Sequence, residues 1–369
     1  MMYTHELKAI KKANRLRDRQ LFAEDIIDMA SNDYLGLSTR KKSLKKAYDL
    51  VKKYRYISPK ASMLVNGYHP LHKKFEKTIS KLNGFEDAIV VGSGFLANLS
   101  LIESLVRKND ILFMDEEYHA SGVMASKLLG DRAVVFRHND MQHLKELLQT
   151  HRYKRAIIAV EGIYSMGGDL CHREIFDIAK EYPNVLLIVD EAHSAGVVGK
   201  HLLGVYDYYD IKIEPNHIKM GTLGKAYGSY GAYILASKEI ILFLQNRAKP
   251  IIYSTAPSVF DIALALVNLN YIIKNTKKIS NKIFKIQQKI YLALDIKCDS
   301  LIVAIKIGDN KKVLEIQQEL LKSNILVGAI REPTVPAAII RFIPNISIKS
   351  KDLKYSLELI ANYGKILKN

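Results

Sequence analysis

The chain has 369 residues, enough for about two domains at roughly 150 residues each. Its 48% apolar and 25% charged residues are the balance of a soluble globular protein with ample material for a core, which excludes a low-complexity chain. The 55 basic and 38 acidic residues leave a net charge of +17, favouring anionic partners. The lysines are scattered and no nucleic-acid motif accompanies them, so a lysine-rich composition is the expected reading, an acidic carrier protein comes second, and no nucleic-acid partner is expected.

No stretch reaches a membrane-spanning length of apolar residues, and residues 1–19 are polar and basic, unlike a signal peptide. Cys171 and Cys298 are too few for a disulfide framework or a metal site. A cytoplasmic protein with no metal and no membrane partner is expected.

Residues 1–24 read as a basic helix. Residues 26–30 lead into Ser31-Asn32-Asp33-Tyr34, a strand followed by a turn in which Asn and Asp supply local hydrogen bonds. Residues 41–54 read as a helix, 58–70 as a long loop and 71–83 as a helix. A strand at 88–91 runs into Gly92-Ser93-Gly94-Phe95-Leu96-Ala97-Asn98 and an apolar helix through 106. A glycine turn between strand and helix presents backbone N–H groups to a phosphate. The turn matches Gly-x-Gly-x-x-Ala, and Asp115 lies near the spacing of a ribose-binding acid, so an NAD-dependent dehydrogenase is one reading. A single phosphate suits the turn equally well.

A strand at 111–114 is followed by His119, on the ligand side of a carboxyl end. Strands at 134–136, 156–160, 185–189 and 218–223 continue the alternation with helices. This predicts an α/β fold, a mostly parallel sheet flanked by helices on both faces. Beyond 258, helices at 259–273 and 279–294, a strand at 301–307, a helix at 311–321, strands at 325–329 and 339–343 and a helix at 351–366 predict a smaller α+β domain. The expected division is an N-terminal arm (1–40), a large domain (41–258) and a C-terminal small domain (259–369).

Two stretches carry the chemistry. Lys225 lies among Gly224, Gly228 and Gly231, with small apolar neighbours; burial there would lower its pKa and yield the neutral amine that condenses with a carbonyl. Upstream, the apolar run 185–189 reads as a strand buried on both faces, with Asp190 at its end and His193 three residues on. Ligands of open α/β sheets bind beyond the carboxyl ends of strands. An acid, a histidine and a lysine so placed point to pyridoxal phosphate, whose ring nitrogen needs a carboxylate and whose aldehyde needs a lysine. The dinucleotide reading leaves all three without a role.

With these residues in view, the chain resembles the α-oxoamine synthases, a pyridoxal-phosphate family within the aspartate-aminotransferase fold group. The resemblance spans nearly the whole chain. It rests on Ser-Asn-Asp-Tyr-Leu-Gly-Leu (31–37), Asn-Gly-Tyr (66–68), Gly-Ser-Gly-Phe-x-Ala-Asn (92–98), Tyr-His-Ala-Ser (118–121), Glu-Gly-x-Tyr-Ser-Met-x-Gly-Asp (161–169), Val-Asp-Glu-Ala-His-Ser-Ala-Gly (189–196), Thr-Leu-Gly-Lys-Ala-Tyr-Gly (222–228) and Ile-Tyr-Ser-Thr (252–255).

The resemblance implies roles. Lys225 would hold the cofactor and shuttle protons, Asp190 would pair with the ring nitrogen, and His193 and Ser165 would bond the ring hydroxyl. His119 would cover the ring face. Backbone N–H groups of Gly94 and Phe95, with Thr222, would hold the phosphate, and Ser254 or Thr255 would reach it from the second subunit of a homodimer. Asn32 would lie near the amino acid, Arg17 would contact the acyl substrate, and Thr334 would be a further substrate-binding residue. The implied reaction condenses L-alanine with a pimeloyl thioester, carried on coenzyme A or acyl carrier protein, with loss of carbon dioxide. Glycine and acetyl-CoA, used by a glycine C-acetyltransferase, are the alternative substrates.

Two departures from the family pattern stand out. Ser58-Pro59-Lys60-Ala61-Ser62 replaces a glycine-rich loop. An Arg-x-Arg motif reads Arg341-Phe342-Ile343, so the substrate carboxylate is expected on Arg341, or on Arg331, in place of the missing second arginine.

Overall fold

The apolar runs fold as strands where turn residues flank them. The computed structural model describes residues 2–182 and 184–366. In chain order the strands are β1 (Ile27–Asp28), β2 (Asp87–Val91), β3 (Ile111–Asp115), β4 (Ala133–Phe136), β5 (Ala156–Glu161), β6 (Val185–Asp190), β7 (His217–Thr222), β8 (Ala232–Ala236), β9 (Val303–Gly308), β10 (Ile325–Leu326), β11 (Gly328–Ile330) and β12 (Ala338–Phe342). The chain divides into two units, one of residues 32–165 and 169–281, the other of residues 2–31, 166–168 and 282–366.

The larger unit holds a seven-stranded sheet of order β2-β8-β7-β6-β5-β3-β4. Strands β3 to β7 run parallel, while β8 is antiparallel to both of its neighbours. The nine-residue link 223–231 between β7 and β8 is too short for a crossover helix, so the chain returns antiparallel. β5 is buried at every position, as an unbroken apolar run between two helical layers should be. Ile157, Ala159, Ile188, Ile218 and Met220 pack one face of the sheet together with Leu101 and Leu105 of the helix Gly94–Leu105. Ile158, Val160, Leu187 and Val189, at the alternate positions, are equally buried on the other face. Each such side chain contributes roughly 1.5–3 kcal/mol on burial. The last residues of β3, β5, β6 and β7 are Asp115, Glu161, Asp190 and Thr222, so parallel pairing lines polar groups along one carboxyl edge.

The helix Val259–Lys274 packs on the helices Lys41–Val51 and Pro70–Asn83 of this same unit. The expected boundary at 258 is therefore displaced: the apolar helix that begins there covers the larger unit, and the division falls within the helix Thr276–Leu294.

In the smaller unit β11, β12 and β9 form an antiparallel sheet, and β1 pairs in parallel with β10. The single strand expected at 325–329 is thus two, because the chain changes partner at Val327. β1 ties the N-terminal segment to this unit, so 1–40 is not a separate arm. The basic helix expected over 1–24 occupies Thr4–Lys12; it buries no residue, and Asn14 leaves it with φ +53°, while Met1 lies outside the described residues. Among the described residues no helix is long and apolar enough to cross a membrane.

Candidate active site

The site is built on the carboxyl edge of the larger sheet. Asp190 closes β6 and is 3% exposed. Its two oxygens accept hydrogen bonds from Asn98 Nδ2 and from the Ala192 N–H, each at 2.9 Å. Asn98 is itself fixed: its Nδ2 also donates to Ser121 Oγ (2.9 Å) and its Oδ1 accepts from Tyr118 Oη (2.7 Å). His119 Nδ1 lies 2.7 Å from Ser121 Oγ and caps the helix Ala120–Ser126. One polar network therefore joins His119, Ser121, Asn98 and Asp190.

His193, buried in the turn after β6, has Nε2 2.6 Å from Lys225 Nζ and Nδ1 2.5 Å from Tyr34 Oη. Donor and acceptor roles along this chain follow the tautomer of His193. Lys225 is half-buried, held in the β7–β8 link by bonds from the Gly228 N–H to Lys225 O and from the Leu223 N–H to Gly231 O. The burial expected from its sequence neighbours is reached in part. Gly228 has φ +54°, and a Cβ there would stand 2.7 Å from Leu37 Cβ, so glycine is required for the link to close.

Gly94 opens a helix capped by Ser93, whose Oγ accepts the Leu96 N–H. A Cβ built on Gly94 would lie 3.9 Å from Thr222 Cβ, so the helix N-terminus and the end of β7 face each other across a narrow cradle. Backbone N–H groups at such a terminus suit an anion. Phe95 is exposed beside it. Ser254 follows the short helix Lys249–Ile252, which packs on the helix Gly94–Leu105 and on residues 63–67.

Ser165 is buried, and its N–H bonds to Glu161 Oε2 at 3.0 Å. Asn32 opens the larger unit, and its carbonyl accepts the Tyr34 N–H. Arg17, Arg331, Thr334 and Arg341 belong to the smaller unit. There Arg17 Nη2 donates to Thr334 Oγ1 at 3.3 Å, and Arg331 donates to Asn14 O at 2.9 Å. Partial burial and the neighbouring Arg17 charge lower the Arg331 pKa. Arg341 sits in β12 opposite Gly328 and Ala304 and is buried.

Sequence reasoning missed several members. Tyr34 and Asn98 lie inside quoted motifs, but their partners, His193 and Asp190, are distant in the chain. Glu161 is fully buried at the end of β5. Glu191 and Lys219 form a wholly buried ion pair at 3.3 Å beneath the turn after Asp190. Lys219 also donates to Leu203 O, and Glu191 accepts the Val205 N–H. Burial lowers the Lys219 pKa against the pull of Glu191. His138 bridges Asp115 (3.0 Å) and Asp169 (2.9 Å). Asp115, the acid considered for a ribose, is consumed by that bridge and by the Glu117 and Asn139 N–H groups, and β2 lies at the sheet's edge; the dinucleotide reading has no support in this geometry.

Comparison with known proteins agrees with this arrangement. Residues 24–360 match the family described as aminotransferase class I and II. The chain is 43% identical over 366 residues to 8-amino-7-oxononanoate synthase of Helicobacter pylori, across 99% of this chain and 98% of that one. Among solved structures, 8-amino-7-oxononanoate synthase from Francisella tularensis is 27% identical with a TM-score of 0.76, over 94% of this chain and 100% of that one. Serine palmitoyltransferase from S. paucimobilis, solved with bound PLP and myriocin, shares the fold at a TM-score of 0.89 and 21% identity, over 100% and 98% of the two chains. On the family match and the full-length identity together, the chain belongs to the aminotransferase class I and II family and, within it, sits with the 8-amino-7-oxononanoate synthases.

Proposed function

We propose that the protein is a pyridoxal-phosphate-dependent acyltransferase that condenses L-alanine with a pimeloyl thioester, releasing carbon dioxide and the carrier thiol, to give 8-amino-7-oxononanoate for biotin synthesis. One observation carries the chemistry: Lys225, from the β7–β8 link, meets His193, from the turn that follows Asp190 at the end of β6, on the sheet edge that also holds the Gly94–Thr222 cradle. The choice of substrates is supported by the full-length likeness to the Helicobacter pylori enzyme.

The residues present fit the cofactor. The N-terminus of the Gly94 helix faces Thr222 and offers backbone N–H groups to a phosphate, and Asp190 is buried and held in place by two hydrogen-bond donors. When bound, pyridoxal phosphate supplies an electron sink next to the α-carbon of the amino acid. Lys225 would hold it and move the proton at that α-carbon. His193 Nε2, within 2.6 Å of the lysine Nζ, is placed to fix that amine and relay its proton. Asp190 would hold the proton on the ring nitrogen, with Asn98 keeping the carboxylate in place. His193 and Ser165 would bond the ring hydroxyl, His119 would cover the ring, and Gly94, Phe95 and Thr222 would take the phosphate. Asn32 would border the amino acid. Arg17 and Thr334 would bind the acyl chain's polar end, and Arg341 the substrate carboxylate, with Arg331 as its alternative.

A homodimer is part of the reading. Val65 (75% exposed), Tyr253 (80%) and Phe95 (48%) come from segments that pack together, an apolar face suited to a second copy that would bring Ser254 to the phosphate. A cytoplasmic setting accords with the two free thiols, Cys171 and Cys298.

The test is to load purified protein with pyridoxal phosphate and offer L-alanine or glycine with pimeloyl-CoA, pimeloyl-acyl carrier protein or acetyl-CoA. Product and carbon dioxide from alanine with a pimeloyl thioester are expected. Turnover confined to glycine and acetyl-CoA would overturn the choice of substrates.

A further inference from the structure

Glu161 is the last residue of β5 and is in register with Asp190 on the adjoining strand. It is 1% exposed. The turn it opens, residues 161–165, is tightly constrained. The Gly162 N–H bonds to Asp190 O (2.8 Å) and the Tyr164 N–H to Asp169 O (2.9 Å). A Cβ on Gly162 would stand 2.7 Å from Ser194 Oγ and 3.1 Å from Glu191 Oε2, so the turn is pressed against the segment that follows Asp190. The Ser165 N–H bonds instead to a side chain, the Oε2 of Glu161. The other oxygen, Oε1, is buried and meets no hydrogen-bond partner among the described residues.

We infer that Glu161 is a positioning residue of the active site: a buried carboxyl that closes the 161–165 turn on the Ser165 N–H and thereby sets where the Ser165 hydroxyl points. The inference rests on the pyridoxal-phosphate reading, in which Ser165 bonds the ring hydroxyl. A carboxylate used for charge would be expected to face a cation closely. The surroundings of Glu161 are different. Burial raises its pKa well above the usual range; Asp190 raises it further, Lys225 and the Ser165 N–H oppose the rise, and Asp115 adds to it. Tyr118 and Tyr164 also feel its charge and carry no positive charge of their own. Burial and the neighbouring Asp190 therefore disfavour the charged form of Glu161. The side chain serves as a hydrogen-bond acceptor of fixed reach for the Ser165 N–H.

The experiment uses full-length protein stripped of cofactor and titrated with pyridoxal phosphate, followed by visible absorbance across pH 6–9. Three variants are compared: Glu161→Gln, Glu161→Met and Ser165→Ala, with the Glu161→Met/Ser165→Ala double variant. Glutamine keeps a neutral acceptor, and its affinity should stay within about twofold of the parent. Methionine keeps the volume without the acceptor, and affinity should fall roughly tenfold, the scale of one lost hydrogen bond. The absorbance should also shift in its pH dependence, which a change of packing alone would not produce. In the double variant, Glu161→Met should add less than about twofold to the loss from Ser165→Ala, because both act through one hydroxyl. Equal binding and spectra in parent and Glu161→Met, or fully additive losses, would overturn the inference. If the methionine variant does not fold, the glutamine variant decides: a tenfold loss there shows that the acceptor alone is not the role. Failure of the parent to bind pyridoxal phosphate at all overturns the function proposed above, and this inference with it.

Discussion

His138 offers a sharp test of the electrostatics that hold the carboxyl edge together. Its ring joins Asp115, at the end of β3, to Asp169, at the end of the loop that carries Ser165, and lies edge-on to Tyr164 with centroids 4.3 Å apart. Glu117 stands 3.9 Å from Nε2. Burial alone would lower the pKa of His138; the hydrogen bonds and charges of Asp115 and Asp169 outweigh it and raise the pKa to about 10. A folded-state pKa above the unfolded value of 6.5 contributes stability that is complete below pH 6.5 and is lost as pH rises through about 10. At about 1.4 kcal/mol per pH unit that window is worth roughly 5 kcal/mol at most. Asp169 is 40% exposed and Glu117 45%, so solvent screening brings the expected figure to about 2–3 kcal/mol. His138→Leu removes both bonds and leaves Asp115 to the Glu117 and Asn139 N–H groups. Urea unfolding of parent and variant at pH 6, 8 and 10 should show a gap of about 2–3 kcal/mol at pH 6 that shrinks steadily to pH 10. A gap that is constant across this range, or absent at pH 6, would refute the reasoning.

Two further predictions concern the proposed chemistry. Asp190→Asn should lose activity by at least about a hundredfold, because an amide cannot hold a ring proton, and should lose roughly 1–3 kcal/mol of stability, because its NH2 faces one of the two donors, Asn98 Nδ2 and the Ala192 N–H, that the carboxylate now accepts; near-normal turnover would make Asp190 a structural cap. Arg341→Lys should raise the dissociation constant of L-alanine about tenfold to hundredfold, and more than Arg331→Lys does, because a planar guanidinium is the better carboxylate partner and Arg341 is the more buried of the two. Titrating alanine against the cofactor absorbance measures both, and an unchanged affinity in the Arg341 variant removes it from the site.

Much of the larger unit was legible because its strands are short apolar runs that end in a polar residue. Asp190 could be assigned to the ligand edge on that pattern and Lys225 on its glycines, whereas Thr222 entered only through the family resemblance, because its strand was expected to run on to 223. What escaped was pairwise and long-range. Nothing near Asn98 announces Asp190, 92 residues away, and nothing near Tyr34 announces His193, 159 residues away. Glu161 and Lys219 resemble surface charges until burial is known. The domain boundary failed for a related reason. Amphipathic periodicity identifies the helix Val259–Lys274 but not the surface it covers, and that surface is the pair of helices Lys41–Val51 and Pro70–Asn83. The N-terminal segment was misassigned because two residues, Ile27 and Asp28, are enough to pair it with Ile325 and Leu326.

The central claim is that Lys225 is the residue that carries the cofactor. Borohydride reduction of the pyridoxal-phosphate-loaded protein, followed by peptide mapping, tests it most directly, with Lys225→Ala as the control. The label should fall on Lys225 in the parent, and Lys225→Ala should fold, take no label and show no turnover. Label on any other lysine of the parent, or full turnover by the alanine variant, would contradict the claim.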